Sequence, residues 1–461
     1  MREKEQKIPI NRKEFYRSLT GLALPIMLQS LMLASVAAGD ALMLGKIAQD
    51  EMTAVSLATQ IQFIQNMFVM AITSAGAILG AQYWGKGDRR TLEDIFNMIL
   101  RFSGIISVIF FLACELIPGP LMLIFADDAS LIAIGSSYLR IAGWSYLLTG
   151  VSQCYLTMMK VSDHVKPGAL ISSCAVLLNI GLNAVFIFGL FGMPQLGAVG
   201  VAIATSLSRL VELAACFVVS FRSRDIKLDF RYLFVRHKVL FSDFVRLSLP
   251  ALGNDISWSL AFSMYSVIIG HLGTDAVAAN SFVIVVRNFG TILCFGMASA
   301  GGILLGKIIG ENKLDEARDG AKKLVKLTVI TGAIGGLMIL AASPIVLSYA
   351  RLTDQAMHYL KYMLLINTYY VMGAAVNTTL IAGVFRAGGD SRFGFICDTI
   401  DMWAYAVPLG FFAAFVLKLP VMWVYFLICT DEFVKWPWVI RHYRSGKWLQ
   451  NITRDDLFIG E

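Results

Sequence analysis

The sequence predicts an all-α integral membrane protein: twelve transmembrane helices in two parallel six-helix repeats with a central cleft. Three observations lead there. Of 461 residues, 57% are hydrophobic and only 15% charged, far more apolar than a water-soluble globular chain. The apolar residues come in runs of about 20, the length an α-helix needs to cross a hydrocarbon core of about 30 Å. Finally, the stretch LALPIMLQSLMLASVAAGDALMLG at 22–45 has a counterpart, LSLPALGNDISWSLAFSMYSVIIG, at 247–270. Both open on Leu-x-Leu-Pro and close on Gly, 225 residues apart.

Taken in order, the apolar runs place spans at about 18–46, 53–81, 94–118, 130–158, 167–190, 196–221, 243–270, 276–306, 324–347, 358–384, 393–417 and 420–440. The first follows 17 polar and basic residues and shows no small-residue cleavage site, so it is expected to stay as a span. Connectors on one side hold most of the bases, among them Lys86, Arg89 and Arg90, the run from Arg222 to Lys238, and Arg441, Arg444 and Lys447. The other side has few, chiefly Lys46, Arg140, Arg351, Lys361 and Lys418. That bias predicts cytoplasmic termini and accounts for the net charge of +7 without invoking nucleic acid, for which no basic groove with interleaved aromatics is visible. All seven cysteines fall inside apolar runs and the five histidines at or near loops, a pattern of packing residues rather than disulfides, zinc or haem ligands.

The longest basic connector divides the chain into an N-terminal bundle, 1–221, a cytoplasmic linker, 222–242, and a C-terminal bundle, 243–461. At the offset of 225, Pro25 matches Pro250, Gly45 matches Gly270, and Ser74-Ala75-Gly76 matches Ser299-Ala300-Gly301. Repeats with an even number of spans enter the membrane in the same direction, related by an axis along its normal, with a path between them. Pro25 and Pro250 each remove a backbone donor inside a span and are candidate hinges.

Polar residues within the spans carry the functional expectation. Asp40 lies in an otherwise apolar helix, where a carboxylate must turn toward a partner or a water-filled cavity. Asn179 and Asn183, four apart, stack on one helix face; Thr205 lies in the next span, followed by Arg209 and Glu212 as an i, i+3 pair. The second half is richer in acid: Asp255 in span seven, Asp398 and Asp401 three apart in span eleven, Asp431 and Glu432 with Lys435 in span twelve, and Arg287 in span eight. Five acids face two bases, and a carboxylate lacking a countercharge in low dielectric takes up a proton or a cation, as a coupling site must. Asp431, Glu432 and Lys435 equally fit an ion-pair network that fixes helix register. No phosphate-cradling loop or nucleophile arrangement is present, so neither ATP use nor an enzyme is expected.

LALPIMLQSL, GDALMLGKI, GAQYWGKGD, NIGLNAVFIFGLFGMPQLGAVGVAIATSLSR and the closing RSGKW together resemble the multidrug and toxic compound extrusion (MATE) family of secondary antiporters, prokaryotic type, over nearly the whole chain. The resemblance implies a plasma-membrane (inner-membrane) exporter of two six-helix bundles, monomeric and without a cofactor. It would expel organic, often cationic, amphiphilic compounds in exchange for protons or sodium ions. Asp40, Asn179 and Thr205 match the family's N-terminal proton site, whereas Asn183 stands where many relatives have Asp. Sodium-coupled relatives use acids in spans seven and ten; here Asp255 comes earlier in its span than the usual Glu, and span ten offers Asn367 and Asn377, which leaves Asp398 and Asp401 to substitute.

The expected mechanism is alternating access: Asp40 takes a proton, span one bends near Pro25, and the cation is released. Two rival readings stand beside it. A flippase for lipid-linked precursors would show a wide basic cavity, against the acidic excess; a non-transporting membrane scaffold would leave the intramembrane acids without a purpose.

Overall fold

The structure is a computed structural model that describes residues 12–44, 49–223, 237–350 and 352–455, with side chains at all of these except 12, 34–42, 44 and 49. Among the described residues every regular element is helical. The first half comprises α1 (Arg12–Leu44), α2 (Gln49–Lys86), α3 (Arg89–Leu116), the short α4 (Pro118–Leu123), α5 (Ala129–Val161), α6 (Val165–Phe188) and α7 (Gly197–Arg222). The second half begins with α8 (Lys238–His271), α9 (Thr274–Gly310), α10 (Leu314–Tyr349) and α11 (Asp354–Thr378), the last continuing into a π-helical turn at Thr379–Phe385. Then come α12 (Ser391–Ile400), a π turn at Asp401–Ala406, α13 (Val407–Phe411) and a π turn at Phe412–Val416, all in one run. A broken run follows, of α14 (Val421–Ile428), α15 (Asp431–Val434) and α16 (Trp436–Ser445).

Apart from α4, these elements form twelve rods among the described residues, six in each half, at the positions of the twelve sequence spans. Eight of the rods are individually long and apolar enough to cross a membrane by length and composition; α1, α5, α8 and the α14–α16 run make up the rest. The twelfth departs from the single helix expected over 420–440. Pro437 has no N–H to give to Phe433, and the Thr430 hydroxyl donates to the Leu427 carbonyl at 2.6 Å, so the rod breaks on either side of α15.

Helix ends follow local chemistry. Asp88 accepts from the Thr91 amide at 3.0 Å, Asp128 from Ser130 at 2.7 Å, and Asp390 from Phe393 at 3.2 Å, each satisfying a donor that the first turn leaves open. Gly189, with φ 69°, closes α6 in the left-handed region that favours glycine. The start of α7 is held from a distance: the Glu51 carboxylate on α2 accepts the Ala198 amide at 2.6 Å, an anion at the positive end of a helix.

Packing groups the chain into two compact units, one of residues up to Met27 with Leu249–Asp455, the other of Leu28–Ser248. Both boundaries fall inside continuous helices, the first two residues after Pro25 and the second immediately before Pro250. The starts of α1 and α8 thus belong to different units from the rest of those helices. Of the linker expected over 222–242, residues 224–236 lie outside the described residues.

In the 28–248 unit, α5 packs on α2, α3 and α7 around a core that includes Ile61, Leu139, Tyr146, Ile187 and Val201. A Cβ at Gly150 would collide with the Ser107 hydroxyl, so glycine there sets how closely α5 approaches α3. In the other unit α9, α10 and α11 pack mutually over Val283, Ile339, Leu360 and Val371. A Cβ at Gly335 would lie 2.7 Å from the Gly290 carbonyl oxygen, again a close helix crossing that only glycine permits.

Candidate functional site

In the 28–248 unit the sequence candidates of spans five and six meet. Asn183 Nδ2 donates to Asn179 Oδ1 at 3.3 Å; Asn179 Nδ2 in turn donates to Thr205 Oγ1 at 3.2 Å and Ser208 Oγ at 3.4 Å. Both asparagines are buried. The spacing of four on α6 stacks the amides on one face, as expected, and α7 supplies the two hydroxyls. These four side chains carry no charge of their own. One turn further along α7, Arg209 and Glu212 pair at 2.8 Å, and Ser152 on α5 donates to the same Glu212 oxygen at 3.2 Å. That pair is self-compensating, a structural tie between α5 and α7. The Asp40 side chain lies outside the described residues; only its place in α1 is given.

The other unit holds the stronger electrostatics. Lys435 Nζ lies 3.1 Å from Asp398 Oδ1, 3.2 Å from Glu432 Oε2 and 3.8 Å from Asp401 Oδ2, and all four residues are buried. Asp398 and Asp401, three apart, do face one way, with Asp401 as the first residue of a π turn. Breaking the last rod brings Asp431 and Glu432 to the same place: the Glu432 amide donates to Asp431 Oδ1 at 2.7 Å, and the Tyr265 hydroxyl donates to Asp431 Oδ2 at 3.4 Å. Asn377 on α11 clamps Glu432, donating to its backbone oxygen at 2.5 Å and its Oε2 at 2.6 Å. Asp401 Oδ2, by contrast, accepts no hydrogen bond among the described residues.

Asp255 stands apart from this group. It pairs with Arg386 at 3.7 Å, a base just past the expected end of span ten and outside the sequence candidates. With Arg386 added, the span candidates of the second half are five acids and three bases, Arg287, Arg386 and Lys435, an excess of two carboxylates rather than three. Arg287 does not join Lys435; its guanidinium lies over the rings of Phe262 at 4.9 Å and Tyr370 at 5.7 Å. Three residues that the sequence did not single out as site members take part: Arg386, Tyr265 and Asn377. For Tyr265 a signal existed, because it occupies the repeat position of Asp40.

Pro25 and Pro250 both lie within helices that run on through them. No group of three or more His, Cys, Asp or Glu among the described residues is arranged to hold a metal ion.

Twelve helical rods that bury carboxylates in excess of their countercharges define a polytopic membrane transporter. The chain belongs to the MatE family: the family model matches residues 25–185 and 250–412, one match in each half. Its members are transporters, and this chain is accordingly not an enzyme. It is 24% identical to the uncharacterized transporter YisQ of Bacillus subtilis over 441 residues, 94% of this chain and 95% of that protein. To the multidrug resistance protein MdtK of Pectobacterium atrosepticum it is 26% identical over 408 residues, 86% of this chain and 87% of that one. Its fold matches a crystal structure of a mutant Vibrio cholerae MATE transporter, VcmN, with a TM-score of 0.85 at 16% identity, across 95% of this chain and 99% of the other.

Proposed function

We propose that the protein is a cation-coupled multidrug efflux antiporter of the plasma (inner) membrane. It exports organic, often cationic, amphiphilic compounds by alternating access, as a monomer with both termini cytoplasmic. One observation carries the reading: Asp398, Asp401 and Glu432 share a single ammonium, that of Lys435, in a buried site, and buried Asp431 lies next to Glu432. Carboxylates in such surplus are costly in low dielectric until a proton or a sodium ion joins them. Asp401 is the group placed to receive it, since one of its oxygens is without a hydrogen bond.

The chemistry of exchange follows. With the cluster deprotonated, its negative field favours an organic cation; once a proton or sodium ion arrives, that attraction falls and the cation leaves. Coupling ion and drug then bind in alternation, and each biases the conformational equilibrium by its differential affinity. Asp40, with Asn179, Asn183 and Thr205, forms the candidate second site in the 28–248 unit. Pro25 and Pro250 are the proposed hinges, because the packing units change at both.

Reconstituted protein, loaded with a fluorescent organic cation and exposed separately to proton and sodium gradients, tests the proposal. Export should follow one gradient and fall at least tenfold in Asp401→Asn. Export by the variant at the parent's rate would remove Asp401 from coupling, and export driven by neither gradient would refute the antiport reading.

A further inference from the structure

A second feature of the 249–455 region lies beside the acidic cluster and shares Asp431 with it. The rings of Phe262, Tyr265, Tyr370 and Tyr425, the carboxylate of Asp431 and the side chain of Arg287 line one cavity. The guanidinium sits within cation–π range of Phe262 and Tyr370, at 4.9 and 5.7 Å. Tyr370, Tyr425 and Asp431 are buried. Among the described residues no carboxylate pairs with Arg287, and its side chain makes no hydrogen bond. About 30 Å³ of the cavity remains open beside it, room for ~two water molecules.

Aromatic faces with one acid at the wall are the arrangement that recognises weakly hydrated organic cations such as quaternary ammonium groups. A guanidinium is itself planar, delocalised and weakly hydrated, so it resembles such a ligand more closely than a lysine would. A base held by ring faces and by the longer-range attraction of Asp431 also gives up no protein hydrogen bond when it leaves. We infer that this cage is an organic-cation subsite, and that Arg287 is a tethered occupant which a substrate cation must displace. The inference rests on the reading that the protein exports organic cations, and adds where one of them is held and what competes with it. Arg287 then sets selectivity: bulky, poorly hydrated cations with several faces for the rings displace it, whereas strongly hydrated ammonium groups do not.

Equilibrium binding of tetraphenylphosphonium to the full chain in lipid nanodiscs tests the assignment. Arg287→Gln removes the competitor and should tighten binding by about tenfold, the worth of one such ring contact. Adding Phe262→Leu to that variant should abolish the gain. Arg287→Lys, which keeps the charge and is the milder change for folding, should give a smaller tightening. Binding that is unchanged or weaker in Arg287→Gln overturns the proposal; if that variant does not fold, absence of any tightening in Arg287→Lys does so. Gradient-driven export of the same probe by the parent protein is read separately. If the parent exports the probe and the variants bind no tighter, the cage falls and the antiport reading stands. If the parent exports nothing but the variants bind tighter, the reverse holds.

Discussion

Lys435 is the residue on which the C-terminal site depends. Three carboxylates lie within 4 Å of its ammonium, and removing one partner of a buried pair costs about 3–5 kcal/mol through the charge left behind. Lys435→Met should therefore lower the thermal unfolding midpoint of the purified protein sharply, and Lys435→Met with Asp398→Asn should recover part of the loss. Recovery would show that the cost comes from the uncompensated acid, and not from lost packing of the lysine stem. In the other unit, Asn179→Ala removes donations to Thr205 and Ser208 and should cost about 1–3 kcal/mol, read by the same melt. Side-chain chemistry was legible in the sequence where periodicity places it: Asp398 and Asp401 at i, i+3, Asn179 and Asn183 at i, i+4. What could not be read was pairing across helices. Arg386 lies two residues past the expected span of 358–384, yet α11 continues through its π turn and carries that base to Asp255.

Element boundaries show the same division. Runs of about 20 apolar residues locate the rods because the membrane imposes that length, but the helices extend beyond them, as α9 does at Thr274–Gly310 against an expected 276–306. Polar residues at the ends keep their backbone bonds within the helix and add nothing to an apolar count. The π turns at 379–385, 401–406 and 412–416 leave no apolar signature either, since each shifts the helical register while preserving composition. Caps are more readable: Asp128→Ala should destabilise α5 by about 1 kcal/mol, visible as faster amide exchange over its first turn. The two prolines have a kinetic expectation. Pro25→Ala and Pro250→Ala restore backbone donors where the packing units change, so the exchange rate should fall several-fold while equilibrium drug binding stays nearly unchanged. Equal losses in both would indicate a static kink.

For the whole molecule, two sequence repeats and two packing units are different divisions of one chain. The repeats were legible from Leu-x-Leu-Pro and Ser-Ala-Gly in register; the packing units were not, because composition is blind to which neighbour a helix start touches. The voltage response of the proposed antiport is also a property of the entire molecule. Exchange of one monovalent cation for one proton is electroneutral, so imposing a membrane potential alone should leave the rate unchanged, whereas a higher ratio of coupling ions would make it voltage-sensitive. The packing of α1 has a consequence for biosynthesis. A Cβ at Gly320 would lie 2.9 Å from the Phe15 ring, so these two residues, 305 positions apart in sequence, are neighbours in the finished protein. At a ribosome delivering about 5–20 residues per second, Phe15 must wait roughly 15–60 s for its partner to be made. Through that interval the first helix is inserted but only partly docked, and an assembly factor or protease that surveys nascent membrane chains would meet it there.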